Sequence, residues 1–146
     1  MTRRTRDQER AIHAYERVEK VPKDLFEHYK AQVNTLGPTV LRSGLTAALA
    51  FLERKLKDMS DEQRERASPQ VKAAALLLDH LAGATLPGLE QVQQGGQLPE
   101  AVRRLEPLSA YMLATREVLH VALWLRRAVQ ARAAAAAPEE DEARRA

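Results

Sequence analysis

Apolar residues along this chain return at intervals of three and four, the spacing that stacks side chains on one face of a helix. Ala11, Ile12, Ala14, Tyr15 and Val18 follow the rule behind Thr5 and Gln8, which stand at capping-box spacing. They predict a first helix over about residues 4 to 20, with Ala11, Tyr15 and Val18 entering the core. Pro22 suits a new first turn, and Leu25, Phe26, Tyr29, Val33 and Leu36 form one stripe behind it, with Gly37 and Pro38 expected to end the second helix. From Pro38 to Lys57 the apolar set includes Val40, Leu41, Leu45, Leu49, Phe51, Leu52 and Leu56 and covers more than half of the circumference, so this third helix should be the most buried. Gly44 within it costs about 1 kcal/mol against alanine; close approach by another backbone is one reason for it, and simple tolerance is the other.

The stretch Asp58 to Ala67 is so rich in charge that it reads as an exposed, mobile connection. Ser68 and Pro69 then open a fourth helix, which ends at Gly83. Pro87, Gly88, Gly95 and Gly96 leave room between them for only a short helix near Leu89 to Gln94. Pro99 and Pro107 bracket another around Ala101 to Leu105, and the longest runs from Leu108 through about Ala135. Pro138 and the acidic cluster behind it should be frayed. No stretch alternates with period two, and no repeat is visible. The expectation is an all-α fold, a compact bundle of six to seven helices forming a single domain over residues 1–137, with a disordered acidic tail at 138–146.

Composition supports this picture without changing it. The chain has 146 residues, enough for one modest core, and its hydrophobic share of 45% is that of a folded protein. Alanine and leucine dominate while Ile12 is the lone isoleucine, a palette that favours helix over strand. Charge adds something new. The net charge is +3, but the tail from Glu139 holds four acidic and two basic residues, which leaves the rest of the chain at +5. Such a surface suits a polyanionic partner without requiring one. The charged N-terminus has no apolar segment behind it, and the longest apolar run, Ala73 to Leu78, is far short of the roughly 20 residues that span a bilayer. The expected location is cytoplasmic, with no membrane partner.

Catalytic chemistry finds little support. There is no cysteine, which excludes disulfides, thiolate metal sites and cysteine nucleophiles. His13, His28, His80 and His120 lie on separate predicted helices outside any metal-binding pattern, and Gly95 and Gly96 lack the context of a phosphate loop. The acidic residues follow amphipathic surface patterns and assemble no paired-carboxylate centre. No catalytic residue, metal or cofactor is therefore expected.

One constellation stands out. Arg3, Arg6, Arg10, His13, Arg17 and Lys20 follow one another at steps of three and four, which on a helix makes one stripe roughly 25 Å long. Read as outward-facing, it could track several phosphates through arginine forks; read otherwise, it is a solvated face paired with Glu9, Glu16 and Glu19. Arg54, Lys55 and Lys57 close the third helix, and Arg126, Arg127 and Arg132 lie toward the end of the last; each set invites the same two readings, since cations also suit helix C-termini. Few aromatics are interleaved with these charges, so backbone contact is favoured over base stacking or sequence readout.

Two stretches carry a family resemblance. LGPTVLRSGLTAALAFLERK, Leu36 to Lys55, is similar to a pattern Leu-Pro-x-x-Ile-x-x-Asn-Gly-Leu followed after a short spacer by Phe-Leu-x-x-Lys, with Leu36, Val40, Gly44, Leu45, Phe51, Leu52 and Lys55 in matching places. YMLATREVLHVALWLRRAVQA, Tyr111 to Ala131, resembles the closing Tyr, Thr, Glu and Trp-Leu-Arg-Arg of the same family, and Arg10, Ala11, Ala14 and Val18 match its first helix. The family is that of the small helical subunits of type III-B CRISPR (Cmr) effector complexes. The chain departs from the pattern at Gly37, Ser43 and Met112. The resemblance implies a non-catalytic protein of antiviral defence, present in several copies beside the Cmr backbone and large subunits. There it would stabilise CRISPR RNA paired with target RNA through basic surfaces. On that expectation the phosphate contacts are Arg10, Arg17, Lys20, Arg42, Arg54 and Lys55, with Arg126 and Arg127 beyond them. For Arg42 an ion pair with Glu53 is the alternative. Gly44, Leu45, Phe51 and Trp124 are read as packing residues. A helical adaptor that binds only protein, and the small subunit of the related type III-A complex, remain the competing readings.

Overall fold

The computed structural model describes residues 3 to 56 and 66 to 145, those from 137 onward by backbone alone. Among the described residues six α-helices follow one another: α1 Arg6–Glu19, α2 Lys23–Ser43, α3 Leu45–Arg54, α4 Pro69–Ala82, α5 Leu98–Arg103 and α6 Leu108–Arg145. A 3₁₀ turn, Gly95–Gln97, leads into α5, and there is no strand among the described residues. All six helices contribute to one apolar core, whose largest fully buried side chains include Tyr29, Leu45, Leu49, Leu77, Leu78, Leu81 and Leu125. The expected exposed connection at 58 to 67 falls almost wholly on residues outside the described set. So do the side chains of the expected tail, 138–146, although the backbone of α6 is helical to Arg145 rather than to Ala135.

Local signals fix several ends as expected. Thr5 and Gln8 form the capping box of α1, with Gln8 N–H donating to Thr5 Oγ1 at 3.1 Å and Thr5 N–H donating to Gln8 Oε1 at 2.7 Å. Ser68 and Pro69 open α4.

The second helix departs from expectation. Gly37 and Pro38 do not stop it; α2 runs through both to Ser43. A proline inside a helix removes one N–H and crowds the carbonyl four residues back, at a cost of about 3 kcal/mol. Leu36 and Val40 on either side of Pro38 are both buried, and each contributes about 1.5 to 3 kcal/mol by leaving water, which offsets that cost. The break comes instead at Gly44, whose φ of +90° lies where a side chain would be strained. The Gly44 N–H still closes α2 by donating to Val40 O at 2.8 Å, and α3 starts at the next residue in a new direction. The predicted third helix is thus divided between α2 and α3. It is also less enclosed than expected: Leu41 and Phe51 face solvent, whereas α4 buries Ala73, Ala74, Leu77, Leu78, His80, Leu81 and Ala82.

The expected short helix near Leu89 to Gln94 is replaced by turns, because Gly95 must meet the backbone of α4. Its N–H donates to Asp79 Oδ1 at 2.8 Å, and a Cβ at this position would lie 2.3 Å from Asp79 N and 2.4 Å from Leu78 C. Close backbone approach is therefore the role of Gly95, while Gly44 supplies a turn.

These environments separate two glycine substitutions. Gly95→Ala should destabilise by about 3 kcal/mol or more, since backbone rather than a flexible side chain must give way. Gly37→Ala, whose added methyl meets nothing within 4 Å apart from its chain neighbours, should leave stability within about 1 kcal/mol, because the gain in helix propensity is opposed by crowding against the Pro38 ring. Urea unfolding of both variants checks the difference in size.

Candidate nucleic-acid interface

The orientation of α1 decides what its basic stripe can do. Its fully buried residues are Ala14 and Val18, and the half-buried Arg10 and His13 lie beside them, while Ile12 and Tyr15 are exposed. The helix is therefore turned so that part of the stripe points inward. The reason is Glu117, a buried carboxylate on α6 at the same face as Ala114, Val118 and Val121. A buried carboxylate without a partner is costly, and α1 answers it with two arginines. Arg10 donates from Nε to Glu117 Oε2 at 2.6 Å and from Nη2 to Oε1 at 2.8 Å, and Arg6 donates from Nε to Oε1 at 2.8 Å. The remaining Arg10 nitrogen, Nη1, reaches Asp7 Oδ1 at 2.7 Å, which leaves the side chain only 14% exposed. The Arg10 hydrogen bond holds the Glu117 carboxyl below its ordinary range against the opposing effect of burial. The expected outward ribbon is corrected here: its middle is an internal ion pair.

His13 continues the inward turn. Its Nε2–H donates to the backbone carbonyl of His80 on α4 at 2.8 Å. The buried His80 ring lies edge-on to Tyr29 of α2, with Nδ1 2.6 Å from the Tyr29 hydroxyl, which donates into it when His80 is neutral. Burial lowers the His80 pKa to about 4 and raises that of Tyr29. The chain His13, His80, Tyr29 thus joins three helices as neutral groups. Among the described residues no group of three His, Asp or Glu side chains is placed to hold a metal ion.

The other expected phosphate contacts are exposed but dispersed. Arg17 and Lys20 lie at the end of α1, with the Arg17 guanidinium close to Gly83 at the end of α4. Arg42 closes α2 on the surface; its suggested partner Glu53 is instead held by Arg103 of α5 at 2.9 Å. Lys20, just before α2, and Arg42, in its last turn, are separated by nearly the whole of its 21 residues and so stand roughly 30 Å apart. Arg54 and Lys55 are exposed at the end of α3. On α6, Arg126 lines a groove against α2 beside Pro38 and Leu41, and the Arg127 guanidinium lies 4.6 Å from the centre of the Trp124 ring, a cation–π contact. The third arginine of that group is structural: Arg132 donates from Nη1 to Val18 O at 2.6 Å and to Val21 O at 2.8 Å, and its guanidinium covers Phe26 at 4.2 Å. It closes the C-terminal end of α1.

Of the residues read as packing, Leu45 is fully buried and Trp124 packs against the core, but Phe51 is 56% exposed. Tyr111 has a role that sequence reasoning missed: its hydroxyl accepts from Thr46 N–H at 3.1 Å and from Thr46 Oγ1 at 3.2 Å, just beyond the Gly44 break. The role of Glu117 was also missed, although it is the glutamate of the closing motif and its spacing from Ala114 and Val121 placed a charge on the inward face of the last helix. Arg132 and Arg103 left no such signal, because each depends on a partner distant in sequence.

Comparison with known proteins finds similar chains. A family model described as a CRISPR-associated protein (Cas_Cmr5) matches residues 6–132. Among solved structures, the chain is similar to a CRISPR-associated Cmr5 family protein from Thermus thermophilus, with 31% sequence identity and a TM-score of 0.65. That match covers 88% of this chain and 97% of the other. No curated protein matches.

The buried groups yield two predictions. Arg10→Met should cost about 3–5 kcal/mol by leaving Glu117 poorly paired, and adding Glu117→Leu should recover most of that loss; a thermal-melt double-mutant cycle measures it. Because His80 stays neutral in the folded chain down to about pH 4, the unfolded state takes up the proton first as pH falls through about 6.5. Stability should decline between those limits by about 3 kcal/mol and level off below for this group. An NMR titration of the imidazole resonances, alongside melting temperature against pH, checks both the midpoint and the sign.

Proposed function

The chain belongs to the Cmr5 family of CRISPR-associated proteins, and from that premise we propose that it is a non-catalytic small subunit that steadies CRISPR RNA paired with target RNA in a type III-B effector. The family match over nearly the whole helical body carries this reading. The surface supports it: Arg17, Lys20, Arg42, Arg54, Lys55, Arg126 and Arg127 provide cations that can meet phosphate oxygens. Their dispersal over several helix ends suits contacts to an extended backbone, or to several strands and neighbours, better than a single compact pocket. Arg10 serves this function indirectly, by fixing the orientation of α1 and with it the exposure of Arg17 and Lys20. The setting of such a complex is the cytoplasm.

A protein-docking role accompanies this one. Leu41, Leu108, Met112 and Leu123 leave large apolar side chains exposed on α2 and α6. In a multi-subunit assembly these are natural contacts for the backbone and large subunits or for further copies of the chain. No helix among the described residues is long and apolar enough to cross a membrane.

The experiment that tests the RNA role is charge reversal in the assembled complex. Arg54→Glu with Lys55→Glu, and separately Arg126→Glu with Arg127→Glu, should each weaken RNA binding about tenfold or more at moderate salt and flatten the dependence on salt. The melting temperature should stay within about two degrees, since these side chains are exposed. Undiminished binding and an unchanged salt slope in both variants would leave only the adaptor role.

A further inference from the structure

Phe51 stands in a setting unlike that of any other aromatic in the chain. Its half-exposed ring forms part of the wall of a groove of about 430 Å³ between α2 and α3, whose floor includes the apolar side chains of Leu36, Ala48 and Leu52. Lys55 stands on the rim, one helical turn beyond Phe51 and on the same face, and Arg54 is its exposed neighbour. Across the groove, α2 presents Thr35 and Thr39, whose hydroxyls donate to the carbonyls of Ala31 and Thr35 at 2.8 Å each. With those protons committed to the helix, the two oxygens keep lone pairs to accept from a ligand.

The groove therefore offers an aromatic face, apolar depth, hydrogen-bond acceptors on the facing wall and cations at the mouth. We infer that it holds an unstacked nucleobase of single-stranded RNA on Phe51, with Lys55 and Arg54 on the adjoining phosphates. This rests on the RNA-binding reading above and adds to it the form of RNA and the contact made. Charge complementarity selects this occupant. A nucleotide combines a planar apolar ring carrying N–H donors with an anionic link, and the groove presents the counterpart of each, Phe51 and Lys55 on one wall and the two threonines on the other. An apolar helix of a partner protein would fill the groove but leave the rim cations without a counter-charge. Stacking accepts any base, so the site is sequence-tolerant.

The test compares two probes on the full-length chain and on the assembled complex: a short oligouridylate, and an abasic oligonucleotide of the same length and charge. The wild-type protein should bind the base-bearing probe about five- to a hundredfold more tightly. Phe51→Ala should remove that preference while leaving abasic binding, salt slope and melting temperature unchanged, and Phe51→Trp should retain it. Lys55→Ala should instead weaken both probes together. Equal wild-type affinity for the two probes overturns the stacking site and leaves the phosphate-contact reading intact, whereas failure of both probes to bind even the assembled complex overturns both. Loss of partner subunits from the Phe51→Ala complex, with the base preference unchanged, makes the groove a protein seam and also overturns the inference.

Discussion

A carboxylate buried on the inward face of α6 governs how the rest of this small bundle is arranged. Glu117 cannot sit among Ala114, Val118 and Val121 as an unpaired charge, because the loss of hydration would cost several kcal/mol. Arg10 and Arg6 answer it, and in doing so they rotate α1 until Ala14 and Val18 enter the core and Ile12 and Tyr15 leave it. Further along the same pair of helices, Arg132 reaches back to the carbonyl of Val18 in the last turn of α1 and to that of Val21 just beyond it. The two contacts hold α1 beside α6 at both ends, and the position of Arg17 and Lys20 on the surface follows from them.

The opposite side of the bundle depends on how backbones meet. Gly44 lets α2 end and α3 begin without an intervening loop, and the Tyr111 hydroxyl, carried on α6, accepts one of the N–H groups exposed at that junction. Gly95 brings the loop before α5 against α4 at a distance that no side chain permits. Between them, the neutral link from His13 to His80 to Tyr29 satisfies polar groups in the interior without placing a charge there. These few junctions fix how the helices meet.

The function that suits this scaffold comes from its outside. The chain is a member of the Cmr5 family, and its free cations sit at helix ends and on the outer side of α6 rather than around a pocket with convergent catalytic groups. Local differences within this arrangement, such as a bare aromatic next to a lysine on α3, make separate parts of the surface chemically distinct.

The all-helical class was legible from apolar spacing, and the family from the order of motifs between Leu36 and Lys55 and between Tyr111 and Ala131. The capping box at Thr5 and the start of α4 at Ser68 were legible as well, because each is settled by residues within one turn of one another. Pro38 was misjudged because its local cost is outweighed by burial of Leu36 and Val40 against other helices, and the Arg10 stripe was misjudged because Glu117 lies 107 residues away. The sequence by itself determined most of the helical segments, though not the Leu89 to Gln94 turns or the break at Gly44, since helix formation follows largely from short-range hydrogen bonding and periodicity. Only the tertiary structure decided which face of each helix turns inward, and therefore which cations and which aromatic ring meet solvent, because that choice belongs to partners brought together by folding.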